Sequence, residues 1–319
     1  MRLLVVGSVA YDSVETAYGK VDRALGGSAT FFSMASALLA PTHVVAVVGR
    51  DFRATDFARM ESRGVDISGI EVVDGETFRW GGVYSTHFET RTTLFTELNV
   101  FQNFQPRVPE KHRTAELVFL ANIHPSLQAD VLDQIDRPKF VALDTMNFWI
   151  AGERNSLMKV LPRIDALFLN DEEAYALSGV GNLLMAARKI QQMGPRTVVI
   201  KRGEHGAVLF HGETIRHTPA LILDSVRDPT GAGDTFAGGF MGYLATRPHI
   251  DVAALEGAMV MGTLAASVCV EDFSVDALER ADLKTILGRQ TALRNLCLRG
   301  ELDESGMPHH QKTLREKIA

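Results

Sequence analysis

The segment Asp228-Pro229-Thr230-Gly231-Ala232-Gly233-Asp234 restricts what this chain can fold into more than any other. Three small residues stand directly before an aspartate, and Phe236, Phe240, Tyr243 and Leu244 then recur at helical spacing. A glycine turn entering a helix aims unengaged backbone N–H groups and the positive end of the helix dipole at one point, which suits an anion. Asp234 falls in the first helical turn, where its carboxylate can accept a proton beside that anion. A base next to a phosphate cradle is the geometry of phosphoryl transfer to a hydroxyl. The same residues also read as a plain capping turn, because the dipole alone favours aspartate there. Two rival phosphate motifs are missing. G-x-x-x-x-G-K-[ST] occurs nowhere, and G-x-G-x-x-G fails because Phe236 stands where its third glycine belongs.

Around this segment, short apolar runs alternate with helical patterns. Residues 3–6, 44–48, 117–120, 140–143, 166–169 and 198–201 read as buried strands. Helices are expected over 28–39, 55–63, 126–134, 156–161 and 182–193. Strands apolar at nearly every position, separated by helices, imply a three-layer α/β sandwich around a mostly parallel sheet. Ligands then bind beyond the carboxyl ends of the strands. Residues 77–85 and 92–98 break the alternation and read as antiparallel strands of a small separate sheet. That sheet is either an edge hairpin or a lid that keeps water from the reaction.

With 319 residues, 46% of them hydrophobic, the chain can bury a full core as one large α/β domain or two smaller ones. A net charge of −6 argues against a nucleic-acid partner. No run approaches the roughly 18 apolar residues of a membrane span. The first strand begins at once, without a secretory cleavage region. Cys269 and Cys297 lack C-x-x-C spacing and read as buried thiols, which fits a cytoplasmic protein. The polar stretch 301–319, with His309 and His310, reads as a solvated tail.

Other constellations lie at the expected ligand edge. Gly26-Gly27-Ser28 opens a helix and lets a substrate approach bare backbone. Asp12, shortly after the first strand, can accept two hydroxyl hydrogen bonds, although it also suits an ordinary turn. Asn170 and Glu173 share one helix face and can aim at a hydrated Mg²⁺, or they can form a capping box. Lys201 ends a strand and can reach phosphate, while Gly203 and Gly206 permit a tight turn beside a nucleotide or a simple hairpin.

Taken in order, Gly26-Gly27, Asn170-x-x-Glu173, Lys201-x-Gly203-x-x-Gly206 and Asp228-x-Thr230-Gly-Ala-Gly-Asp234 resemble the ribokinase-like (PfkB) carbohydrate and nucleoside kinases. The resemblance runs from residue 1 to about 285. It implies a kinase domain over 1–290 with a β lid from about 12–20 and 75–105, and an extension over 291–319. ATP and Mg²⁺ are implied, with a sugar or nucleoside acceptor. Asp234 is implied as the base, and the Gly231, Ala232 and Gly233 amides as the anion hole. Asn170 and Glu173 would order Mg²⁺, and Lys201, Gly203 and Gly206 would line the nucleotide. Asp228 and Thr230 would hold K⁺, with carbonyls from 268–273. Gly262, Ala265 and Ala266 resemble the helix under the adenine. A homodimer through the lid is a further expectation.

Asp12, Gly26, Gly27, Thr30, Trp80 and His124 are the expected acceptor-binding residues. Sugar-kinase members often carry asparagine where Ala10 and Thr30 stand here, which removes two amide grips on a small sugar. Tyr11, Phe31, Trp80 and Phe88 would suit a nucleobase or would pack the lid. A catalytically idle, ligand-sensing relative is the alternative to an enzyme.

Overall fold

Leu3, Leu4, Val5 and Val6 are all fully buried, yet Leu3 and Val5 belong to one hydrophobic core and Leu4 and Val6 to another. Successive strand residues point to opposite faces, so a strand apolar throughout needs cover on both sides. The computed structural model, which describes residues 1–88 and 90–296, shows that cover. In chain order its strands are β1 (Leu3–Val6), β2 (Ala10–Thr16), β3 (Gly19–Gly26), β4 (Thr42–Gly49), β5 (Val65–Val73), β6 (Arg79–Tyr84), β7 (Arg91–Glu97), β8 (Leu117–Leu120), β9 (Phe140–Asp144), β10 (Ala166–Asn170), β11 (Thr197–Lys201), β12 (Ala207–His211) and β13 (Thr214–Thr218).

Among the described residues a main sheet runs in the order β13-β12-β11-β10-β9-β8-β1-β4-β5, and β3-β2-β6-β7 form a smaller one. From β5 across to β11 every main-sheet pairing is parallel, and β12 and β13 add an antiparallel edge. Helices Ser28–Ser36, Ala232–Ala245 and Val252–Cys269 cover one face. Pro125–Leu132, Arg154–Val160, Asp171–Ser178 and Leu183–Gln191 cover the other.

All six expected strands and all five expected helices are present within a few residues of their expected ends. Three strands of the main sheet escaped the reading, and β2 and β3 of the small sheet were expected only as a lid segment over about 12–20. β5 interleaves polar residues and Gly69 with its apolar ones, and β12 and β13 follow the turn at Gly203 and Gly206, where the hairpin reading names no returning strands. The small sheet is separate, as expected, but mixed: β6 and β7 are antiparallel, while β2 pairs with β6 in parallel. One helix, Val252–Cys269, does reach the length and mean hydropathy of a membrane span, contrary to expectation. It is 67% buried against its neighbours, as a core helix is. Cys269 at its end is buried, and lost solvation pushes its thiol up to about 12. Cys297 and the stretch 301–319 lie outside the described residues.

Phe168 on β10 joins the sheet to the helix that begins at Ala232. Its ring meets Phe119, Phe236 and Phe240 edge-on, with the Phe240 centroid 5.1 Å away. Truncating such a ring removes its transfer energy and leaves a cavity, so Phe168→Ala should cost about 3–5 kcal/mol in urea unfolding. A loss below about 1 kcal/mol would show that the helix does not depend on this contact.

Candidate functional site

The anion loop is held from below. Gly231 has φ +75°, and a Cβ there would stand 2.3 Å from the Phe31 ring, so only glycine fits both the turn and the packing. Phe31 is buried and therefore supports this loop instead of facing a pocket. Helix Ala232–Ala245 starts here without a side-chain cap, with Asp234 half-buried in its first turn. Among the described residues the Gly231 and Gly233 amides make no hydrogen bond. The Ala232 amide donates to the Pro229 carbonyl at 3.2 Å, so two of the three expected donors are free. The dipole of a 14-residue helix adds to them.

The cation beside this loop comes from β11. Lys201 Nζ lies 3.1 Å from where a Cβ on Gly233 would stand, and it donates to Asp144 Oδ2 at 2.7 Å. Asp144 ends β9 and is 7% exposed at its side chain; it was not among the expected site residues. Its only sequence signal is a carboxylate at the carboxyl end of a parallel strand. Burial pushes the Asp234 carboxyl up to about 8, helped by the charges of Asp144 and Asp12 and opposed by Lys201. Lys201 itself loses solvation, but Asp144, Asp234 and Glu173 hold its ammonium above the ordinary value.

Asn170 and Glu173 form the full capping box: Glu173 N–H donates to Asn170 Oδ1, and Asn170 N–H to Glu173 Oε2, both at 2.7 Å. Glu173 is nonetheless part of the charge cluster. Burial, then Asp144, raises its carboxyl to about 7 against the pull of Lys201, and its Oε1 accepts no hydrogen bond from a described residue.

On the opposite wall, β2 and β6 pair so that Asp12 stands opposite Trp80, and paired residues share one face. A Cβ on Gly26 would fall 2.0 Å from Asp12 Oδ2, so the absent side chain makes room for the carboxylate. Burial, and then the charge of Asp228, raises Asp12 to about 7 against a hydrogen bond from Gly27 N–H. Two residues beyond Gly82 on the same strand, Tyr84 shares a hydroxyl hydrogen bond with Thr230 Oγ1 at 3.1 Å, which ties the small sheet to the anion loop. Thr16 Oγ1 makes a second tie, to the Arg227 carbonyl at 2.9 Å. Arg91 on β7 went unnoticed in the sequence, where it belongs to no motif. Its guanidinium lies 5.5 Å from the Trp80 ring centroid, and its charge reaches both Tyr84 and Glu173.

Several expected contacts are not assembled. Thr30 is fully buried and its hydroxyl has no partner, so it meets no open surface. Tyr11 is buried and donates to Asp56. His124 caps helix Pro125–Leu132, accepting from Ser126 N–H, and packs edge-on against Trp149. Gly262 and Ala265 are buried in helix packing beside Phe236 and Gly239 and present no surface to a base. Gly203 and Gly206 lie in the turn between antiparallel β11 and β12, the hairpin reading. A cavity of about 500 Å³ opens beside that turn, lined by Arg202, His205, His217, Pro219, Ala220 and Ile222 among others. Asp228 is 1% exposed, accepts from Thr230 N–H at 2.8 Å, and has no basic side chain within ion-pair reach among the described residues.

The pattern of the pfkB family carbohydrate kinases matches residues 2–281. The chain is 31% identical over 256 residues to a cytidine kinase of Thermococcus kodakarensis, covering 78% of this chain and 90% of that one. It is 26% identical over 287 residues to a nucleoside kinase of Methanothermobacter thermautotrophicus, covering 85% and 89%. Its fold is similar to that of aminoimidazole riboside kinase from Salmonella enterica, solved with aminoimidazole riboside and an ATP analogue. The TM-score is 0.70 at 20% identity, over 91% of this chain and 100% of the other.

Asp234 leaves a signature in stability. An unfolded aspartate titrates near about 4, and the folded one near about 8. Between those values the folded protein holds a proton that the unfolded chain has lost, so stability falls as pH rises through the window. Asp234→Asn lacks this term. Its Tm should exceed that of the parent at about pH 9, and the difference should shrink toward about pH 5. A Tm difference independent of pH would mean that Asp234 titrates normally.

Proposed function

The chain belongs to the pfkB family of carbohydrate kinases, and from that premise we propose that it transfers the γ-phosphoryl group of ATP to a primary hydroxyl of a nucleoside. Like its named relatives it is a kinase, and phosphorylation of a hydroxyl group with ATP is the family reaction. One observation carries the assignment of roles: the half-buried Asp234 carboxylate adjoins two unengaged amides and an ammonium.

In this reading the acceptor hydroxyl gives its proton to Asp234 as its oxygen bonds to the γ-phosphorus, and the bond to the ADP oxygen breaks. Gly231 and Gly233 N–H and Lys201 face the charge that spreads over the phosphoryl oxygens. The residues fit a hard dication: Glu173 Oε1 and Asp144 offer oxygen alone, and the cluster carries more carboxylates than ammonium groups. Mg²⁺, when bound through Asn170, Glu173 and their waters, supplies neutralisation of the phosphates. Asp228 and Thr230 fit a monovalent cation, since a buried carboxylate there lacks a basic partner among the described residues. Pro219, Ala220 and the 82%-exposed Ile222 give the cavity an apolar wall for the adenine of ATP.

The nucleoside reading rests on the small sheet. Asp12 would accept the sugar hydroxyls, while Trp80 on the same face would stack on the base. Arg91, above Trp80, would close over the phosphates as the lid excludes water. The relatives named for cytidine and nucleosides favour the same acceptor class.

Asp234→Asn should lower kcat by about 10²–10⁴-fold while ATP affinity stays within a few-fold. Trp80→Ala should raise KM for nucleosides by roughly three- to tenfold. Steady-state rates over a panel of nucleosides and sugars check both. Near-parental turnover in Asp234→Asn removes the base from the scheme, and turnover confined to sugars removes the nucleoside.

A further inference from the structure

His43, Asp66 and His112 take no part in the chemistry above. His43 sits near the start of β4 and Asp66 near the start of β5, whereas Asp144, Asn170 and Lys201 sit at carboxyl ends of the same sheet. His112 comes from the short turn Glu110–His112. The β4–β5 register slips just here: His43 pairs with Asp66, but Val45 pairs with Gly69, so β5 carries one extra residue. A bulge of this kind re-aims the side chains beside it.

Asp66 Oδ2 lies 3.2 Å from His43 Nδ1 and 3.4 Å from His112 Nε2. One donor atom from each residue lies within 4.8 Å of the others. A tetrahedral ion with bonds of about 2.0–2.2 Å holds its ligands roughly 3.3–3.5 Å apart. Burial keeps both imidazoles below their ordinary range, His112 at about 4, so both are neutral at neutral pH; the proton that His43 Nδ1 gives to its Asp66 hydrogen bond must move to Nε2 before Nδ1 offers its lone pair. Asp66 loses some solvation, but hydrogen bonds from Ser68, Lys111 and His43 hold its carboxyl below the usual range. The outer ring nitrogens, His43 Nε2 and His112 Nδ1, are buried without a partner, and the side chain of His112 is only 3% exposed. His112 Nε2 also meets the Ser68 hydroxyl at 3.3 Å, a contact that an entering ion would displace, while the unpartnered nitrogens lie on the far side of each ring. Lys111 Nζ, on a 58%-exposed side chain, stands 3.2 Å from Asp66 Oδ2 on the solvent side.

We propose that His43, Asp66 and His112 bind a dication of the zinc, cobalt or nickel class, stapling β4 and β5 to the segment that carries His112. Two neutral imidazoles and a carboxylate are the donor set such ions take, with water completing the shell. Lys111 is then the competing charge, which swings into solvent when the ion enters.

The test uses the full chain with His309→Gln and His310→Gln, so that the paired histidines of the tail contribute nothing. After stripping with chelator, Zn²⁺ is titrated by calorimetry and by thermal shift. One equivalent should bind, Tm should rise with log[Zn²⁺], and His43→Gln and His112→Gln should each weaken binding tenfold or more. Lys111→Ala should bind Zn²⁺ several-fold more tightly, which loss of a purely structural contact would not produce. Phosphotransfer with Mg²⁺ should be unchanged in His43→Gln. Either no uptake in the tail variant or undiminished uptake in both imidazole variants overturns the site. Because the cluster is remote from Asp234, its failure would leave the kinase assignment standing.

Discussion

A single ammonium, that of Lys201, stands among the carboxylates of Asp144, Glu173 and Asp234, and most of the site follows from that imbalance. Buried carboxylates without enough positive charge hold protons at pH values where exposed ones are bare. Asp234 and Glu173 therefore stay partly protonated in the empty protein. Positive charge placed beside the cluster would relieve the repulsion and draw those protons off. The same pressure makes the cluster a poor resting state and a good receptor.

The fold produces this crowding by convergence. Asp144, Asn170 and Lys201 end three adjacent parallel strands, so their side chains must meet at one sheet edge. The helix that carries Asp234 is pressed on the sheet through Phe236, Phe240 and Phe168, with the Phe31 ring under Gly231. The small sheet then reaches across from the end of β1 and is tied down by Tyr84 and Thr16. Each tie bonds to the 227–230 loop, so a motion of the small sheet would be felt at the anion loop.

What could be read from the sequence was whatever depends on local pattern. Runs such as residues 3–6 and 117–120 declare a strand buried on both faces, and Gly-Ala-Gly-Asp declares a loop entering a helix. Pairings between separate segments of the chain leave no such trace. Asp144 matters because Lys201, 57 residues away, bonds to it, and Arg91 because β7 folds back over Trp80. Residue type also misled where burial was decisive. Thr30, Tyr11 and Phe31 have the chemistry to touch a ligand, but the packing of helix Ser28–Ser36 and the Asp56 contact place them inside. His124 had a suitable position, yet the helix after it needed a cap.

The most direct measurement is a ¹³C NMR titration of the Asp234 carboxyl in the free protein, assigned through Asp234→Asn. The free carboxyl should titrate near about 8, because burial and the charges of Asp144 and Asp12 outweigh the pull of Lys201. A free carboxyl that titrates near the ordinary value of about 4 would contradict the claim that crowded carboxylates around Lys201 govern this site.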